Sequence, residues 1–475
     1  MQMGGMPIGD VLPELALLGG SVVVLFFALL APRRLQVWAA ALAVVTLAVT
    51  AWLTVVLWGA AHQRLTFHET YAVDGSAFAA KLIVLAITAV VVALSADWFR
   101  DDARQGEYYM LLLMSALGAV LLAAAADLME LVLGTLLSSA SGYVLTAYHR
   151  RSRRAAEAAI KYYLLGALTN GAMVYGVVLL FGLGATTTFA GLEAKLTSAD
   201  TIALVAGTAL VVVGLAFKMG AVPAHAWMPD VADGAPAPVA AFVTSAPKVG
   251  ALVALGRLAL MLPEPGVGWR PLVAVLAAAT MTLGNLAALR QDDVRRLLGW
   301  SAVSQTGYGL MAVVALGRSP LAIPSLLYFL AAYALGALAA FGVVVALRGR
   351  ADRAAYAGLG ASHPWLAAAL VVSFLSFVGI PPTAGFAAKL ALFGATIDAG
   401  YGWLALLAVV NSVVSLAYYA RILAPAYFEP AAEPLPVLGS WAASGVAVST
   451  AGILLLGIGA ELLLGTLRTA RLLPG

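Results

Sequence analysis

Lys81, Lys218, Lys248, Arg257 and Lys389 each stand inside a long run of apolar residues. A charged side chain at the centre of a bilayer costs at least about 2.5 kcal/mol, so each must be offset by something it gains. Lys81 and Arg257 lie near the ends of their runs, where a long side chain is expected to reach the surface along its own apolar stem. Lys218, Lys248 and Lys389 lie deeper. A lysine in a low-dielectric medium binds its proton less tightly, and several such groups on adjacent helices, joined by water, make a proton relay. His225 follows Lys218 and brings a group that titrates near neutral pH; a hydrogen-bonded structural histidine is the alternative. Glu130, in "DLMELVLGTLLSSASGYVLTAY", is the main acid near membrane depth. Asn411 and Ser412 are candidates to hydrogen-bond a relay water or simply to pack. Tyr418 and Tyr419 are expected as aromatic residues of the membrane interface.

Backbone breaks accompany these charges. In "VVVGLAFKMGAVPAHAWMPD", from Val211 to Asp230, Pro223 removes a helix hydrogen bond soon after Lys218. In "SFVGIPPTAGFAAKL", Pro381 and Pro382 sit between Gly379 and Gly385, ahead of Lys389. Irregular backbone at membrane depth is tolerated where it is buried or lines a cavity. Broken helices beside ionisable groups are how transporters build ion sites.

The elements that must carry these residues are membrane helices. The 475 residues are 63% hydrophobic and only 11% charged, against about a quarter charged in soluble domains. The apolar runs are long and unbroken, which excludes the alternating pattern of a membrane barrel. They predict an all-α polytopic membrane protein with about fourteen spans. The first span, with the acids Asp10 and Glu14 leading into it, reads as retained rather than cleaved. There is no cysteine, which excludes thiolate-held iron–sulfur clusters, c-type haem and disulfides. No phosphate loop, dinucleotide fingerprint or metal-spaced His/Glu cluster occurs, so no cofactor or metal is expected on this chain. The basic balance reads as an orientation signal rather than nucleic-acid binding. Of 27 Lys and Arg, 16 fall in odd-numbered loops and 6 in even loops or the C-terminus. That bias predicts both termini outside and "HRRSRRAAEAAIK", from His149, in the cytoplasm of a bacterial cell, with the chain in its plasma (inner) membrane.

The stretch "FKMGAVPAHAWMPDVADGAPAPVAAFVTSAPKVGAL" resembles the signature of the antiporter-like subunits of complex I, the proton-pumping NADH:quinone oxidoreductase. The same signature occurs in multi-subunit cation/proton antiporters and membrane-bound hydrogenases. "EAAIKYYLLGALTNG" is most similar to the subunit N branch. The resemblance implies two inverted five-helix repeats, each with one broken helix (the seventh and the twelfth). The division expected is 1–106 (three helices), 107–262 (helices 4–8), 271–425 (helices 9–13) and 426–475 (a last helix). It implies that Lys218, Lys248 and Lys389 form a water-connected proton line, and that the partners are other membrane-arm subunits and the lipid bilayer. NADH and quinone would be used elsewhere in the complex. One position departs from the pattern. Aligned on Asp127, Gly134 and Tyr143, the mid-membrane glutamate that the family pairs with the seventh-helix lysine is Leu136 here. Three functions therefore stand: a proton-translocating subunit, a subunit of a cation/proton antiporter or membrane-bound hydrogenase, and a non-pumping scaffold.

Overall fold

The computed structural model describes residues 2–3, 6–60, 63–102, 104–149, 151–197, 201–431 and 439–473; Arg150, within the basic loop, lies outside them. The first six helices are α1 (Leu12–Leu30), α2 (Trp38–Ala60), α3 (Gly75–Trp98), α4 (Gln105–Ala124), α5 (Leu128–Thr146) and α6 (Arg153–Gly184). There follow α7 (Phe189–Leu196), α8 (Thr201–Met219), α9 (Trp227–Gly234), α10 (Ala237–Val243), α11 (Ala246–Met261) and α12 (Glu264–Val267). Then come α13 (Trp269–Ala288), α14 (Val294–Ala315), α15 (Ala322–Ala346), α16 (Leu359–Ser362), α17 (Pro364–Val378) and α18 (Ala384–Asp398). The chain closes with α19 (Gly402–Phe428), α20 (Ser440–Ile458) and α21 (Ala460–Leu467). Among the described residues, twelve helical stretches are long and apolar enough to cross a membrane.

Sequential helices pair as antiparallel neighbours, most extensively α4 with α5, α6 with α8, and α13 with α14. Two of these hairpins close through glycine. A Cβ on Gly118 of α4 would stand 2.4 Å from the Ser138 amide of α5. A Cβ on Gly284 of α13 would stand 2.5 Å from the Ser304 amide of α14. Small residues at the contact let two backbones approach where lipid supplies no hydrophobic force between helices. The stretch Ala237–Met261 is wholly buried and α15 nearly so, whereas α1, α2, α6 and α19 turn broad apolar faces outward. Lys248 thus lies on the most enclosed element.

Both expected breaks are present, and they share a local cause. α8 ends where Gly220 takes φ +74°, and α17 ends where Gly379 takes φ +91°. Each glycine accepts the left-handed conformation that terminates a helix, and proline beyond it prevents the helix from resuming. Breaks also occur where none was anticipated. The eighth span is two helices, α10 and α11, interrupted at Thr244–Ser245 with Pro247 opening the second. The last span likewise divides between α20 and α21 at Gly459.

Two expectations about side chains are corrected. Lys81 and Arg257 do not reach the surface. Lys81 is 1% exposed and pairs with Glu14 at 2.6 Å; Arg257 is fully buried and pairs with Asp74 at 2.6 Å. An opposite charge from another helix makes burial cheaper than stretching to water. Tyr418 and Tyr419 are buried rather than interfacial; their hydroxyls bond Asn285 and Ser301, which satisfies their polar ends inside the bundle.

Candidate functional site

Lys218 is the penultimate residue of α8, and its Nζ donates to Ser139 Oγ of α5 at 3.0 Å. Tyr143 stands one turn along α5 from Ser139, and its buried hydroxyl meets no hydrogen-bond partner among the described residues. No carboxylate pairs with Lys218 among the described residues. Leu136, on the same helix as Ser139, is 42% exposed on the outer surface of the bundle. Glu130 is distant from this lysine. It lies in the first turn of α5, where it shares a cavity with Glu14 and Asp127.

Lys248 rises from α11 to donate to Ala302 O of α14 at 2.6 Å and to Tyr333 Oη of α15 at 3.2 Å. Its Nζ also lies 4.3 Å from the Tyr333 ring centroid, a cation–π contact. Tyr333 in turn donates to Thr244 O at 3.0 Å, a carbonyl freed by the break between α10 and α11.

Lys389, on α18, folds back across the second break. It donates to Phe377 O at 2.7 Å and Val378 O at 3.2 Å, the last carbonyls of α17, and to Ser412 Oγ of α19 at 2.9 Å. A helix C-terminus carries negative partial charge, so the broken helix itself supplies a cation site without an acid. The ring of Tyr308 lies 4.0 Å from this ammonium, and its hydroxyl shares Ser412 at 3.0 Å.

These three sites meet on one element that the sequence reading did not single out. Along α14, Ala302 O accepts from Lys248, and Thr306 Oγ1 lies 3.1 Å from that same carbonyl and 2.7 Å from Met219 O beside Lys218. Gln305 Nε2 reaches Phe377 O, the carbonyl that holds Lys389, at 3.3 Å. Ser301 bonds the hydroxyl of Tyr419. α14 is therefore a polar spine joining the surroundings of all three lysines. Its signal was present: "SAVSQTGYG" places Ser301, Ser304, Gln305, Thr306 and Tyr308 within two turns of a buried helix.

His225 is half-buried in the first break. It lines a cavity of about 650 Å³ with Arg290, Gln291 and Trp300, on the face opposite the N-terminus, and no hydrogen bond joins it to the lysines. Asn411 bonds Asn285 of α13 and stays off the lysines, whereas Ser412 binds one directly. Among the described residues no group of three His, Asp or Glu is arranged to hold a metal ion.

Residues 125–415 match the family described as "NADH:quinone oxidoreductase/Mrp antiporter, TM". NADH-quinone oxidoreductase subunit N 1 of Streptomyces griseus is 43% identical over 465 residues, 96% of each chain. A chain of respiratory complex I from Thermus thermophilus superposes with a TM-score of 0.82 at 29% identity, over 97% of this chain and all of that one. A chain of the Mrp complex from Dietzia shares the fold, with a TM-score of 0.83 at 21% identity over 98% and 97% of the two chains. The chain belongs to the NADH:quinone oxidoreductase/Mrp antiporter membrane family and within it is most similar to subunit N.

Proposed function

We propose that this chain is the subunit N-type component of the membrane arm of a proton-pumping NADH:quinone oxidoreductase, and that it moves protons through Lys218, Lys248 and Lys389. The observation that carries this reading is the placement of three buried lysines, none paired to an acid among the described residues, around one polar helix, α14. A lysine held by neutral oxygens can surrender its proton without leaving a buried carboxylate unpaired. NADH and quinone act on other subunits, and this chain holds no redox centre. Its partners are the neighbouring membrane-arm subunits and the bilayer. α14 and the interrupted pair α17–α18 complete fourteen crossings, arranged as two inverted five-helix repeats, with both termini on the outer side of a bacterial plasma membrane.

Exchange of Lys218 or Lys248 for Met keeps length and apolarity while removing the titratable nitrogen. Each variant should assemble at normal abundance, and proton pumping driven by NADH oxidation in membrane vesicles should fall several-fold. Undiminished pumping in both would make the chain the scaffold that the Leu136 replacement suggests.

A further inference from the structure

Away from the lysine sites, a second ionisable group lies at the N-terminal face, between α1, α4, α5 and the turn after Arg64–Thr66. Glu14 is 5% exposed and Asp127 3%. Glu14 Oε1 accepts from Tyr71 Oη at 2.5 Å and pairs with Lys81, whose ammonium also donates to Tyr71 at 2.8 Å. Its Oε2 is buried and meets no donor among the described residues. Asp127 Oδ1 caps α5 by accepting from the amides of Met129 and Glu130, while its Oδ2 is likewise buried without a donor. The Glu130 carboxylate makes no hydrogen bond or ion pair among the described residues, and its Oε2 is buried. Glu14, Asp127 and Glu130 line one cavity of about 700 Å³.

The local charges do not balance. Lys81 is matched by Glu14, Arg257 by Asp74, and the more exposed Arg64 by Asp10. Asp127 is offset in part by the amides at the start of α5. Glu130 has no such partner among the described residues and shares its cavity with Glu14 and Asp127. A buried acceptor without a donor is costly, and carboxylates crowded into one site hold a proton among them. A metal ion is a poorer occupant, because these acids do not converge as ligands.

We propose that Glu14, Asp127 and Glu130 form a proton-binding site at the N-terminal face, separate from the lysine line, in which Glu130 is the group that takes the proton. A hydronium ion in the cavity gives its proton to the Glu130 carboxylate and leaves as water; the reverse step returns it. Glu14, held by Tyr71 and Lys81, is already paired and lines the same cavity.

Infrared difference spectroscopy of the assembled complex in its membrane tests this without reference to pumping. The native complex at neutral pH should show a carboxylic acid C=O band that moves on carbon-13 labelling of glutamate and shifts promptly in D2O. The band should disappear in Glu130→Gln and return at altered frequency in Glu130→Asp. Exchanging sodium for choline should leave it unchanged. No labelled band, a band that survives Glu130→Gln, or a band abolished by sodium would overturn the assignment, the last by making the site one for alkali cations.

Discussion

Lys389 and Lys218 are buried to a similar degree but held differently, and the difference decides what each substitution tests. Lys389 rests on two helix-end carbonyls and one hydroxyl, all acceptors. Guanidinium can satisfy the same acceptors but stays protonated at any working pH. Lys389→Arg is therefore expected to assemble normally and to lose most proton pumping, measured in the same vesicles that report NADH oxidation. Normal pumping by this variant would show that a fixed charge suffices there. Lys218 has only a serine among the described residues, so its surroundings are more easily disturbed. The depth of these lysines was legible in the sequence because lone charges in apolar runs stand out. Their partners were not. Ser139 lies 79 positions from Lys218, and Tyr333 lies 85 from Lys248, and no periodicity reports contacts of that separation. The same blindness explains Lys81 and Arg257: a lone charge near a span end and one paired across 67 or 183 positions look alike until the helices are assembled.

At the scale of elements, the surroundings of Lys389 rest on how α17 ends and α18 begins. Gly385 lies so close to α17 that an added Cβ would stand 1.7 Å from Ser376 O, while its amide is held by Ser376 Oγ at 3.1 Å. Gly385→Ala must push the two half-helices apart, and overpacking of this kind costs about 1–3 kcal/mol. It should lower the thermal midpoint of the extracted complex and reduce pumping, although no ionisable group is altered, because Phe377 O and Lys389 sit across the same gap. Gly171→Ala in α6 is the control. Nothing lies within 4 Å of its added Cβ, and alanine favours helix by up to about 1 kcal/mol, so stability should hold or rise. If both variants behave alike, the close approach at Gly385 is not what sets the break. The breaks at Gly220 and Gly379 were readable because glycine and proline state their backbone demands locally. The break between α10 and α11 was not, since Pro247 alone is equally at home in the first turn of an ordinary helix.

Across the whole molecule, charge is sorted to the two faces and ties helices together there. At the N-terminal face Glu264 joins Arg270, at the start of α13, to Arg318, in the turn before α15, each at 2.6 Å. The Arg270 guanidinium, hydrogen-bonded to it, holds the Glu264 carboxyl below its ordinary range. A carboxyl whose folded value is lowered stabilises the protein above the unfolded value and loses that contribution as pH falls through the folded one. Glu264→Gln should therefore destabilise the extracted complex slightly at neutral pH, by about 0.2–1 kcal/mol for a half-exposed pair, and the gap from native should close in the acid range. A gap independent of pH would assign the effect to packing. On the opposite face, Asp230 binds Arg296 at 2.6 Å and Lys161 at 3.1 Å, within the basic belt that the loop counts predicted. That belt is what the proposed orientation rests on, because Lys and Arg near span ends tend to be retained in the cytoplasm. The chain has no cysteine, so one introduced thiol reports without background. Ser152 caps α6 beside this belt, and losing such a cap costs about 1 kcal/mol. Ser152→Cys should react with a membrane-impermeant maleimide only in inverted vesicles or after permeabilisation. Labelling in intact cells would reverse the orientation and place His225 and its cavity on the outer side. The direction of the path proposed through Lys218, Lys248 and Lys389 would then have to be read from the other end.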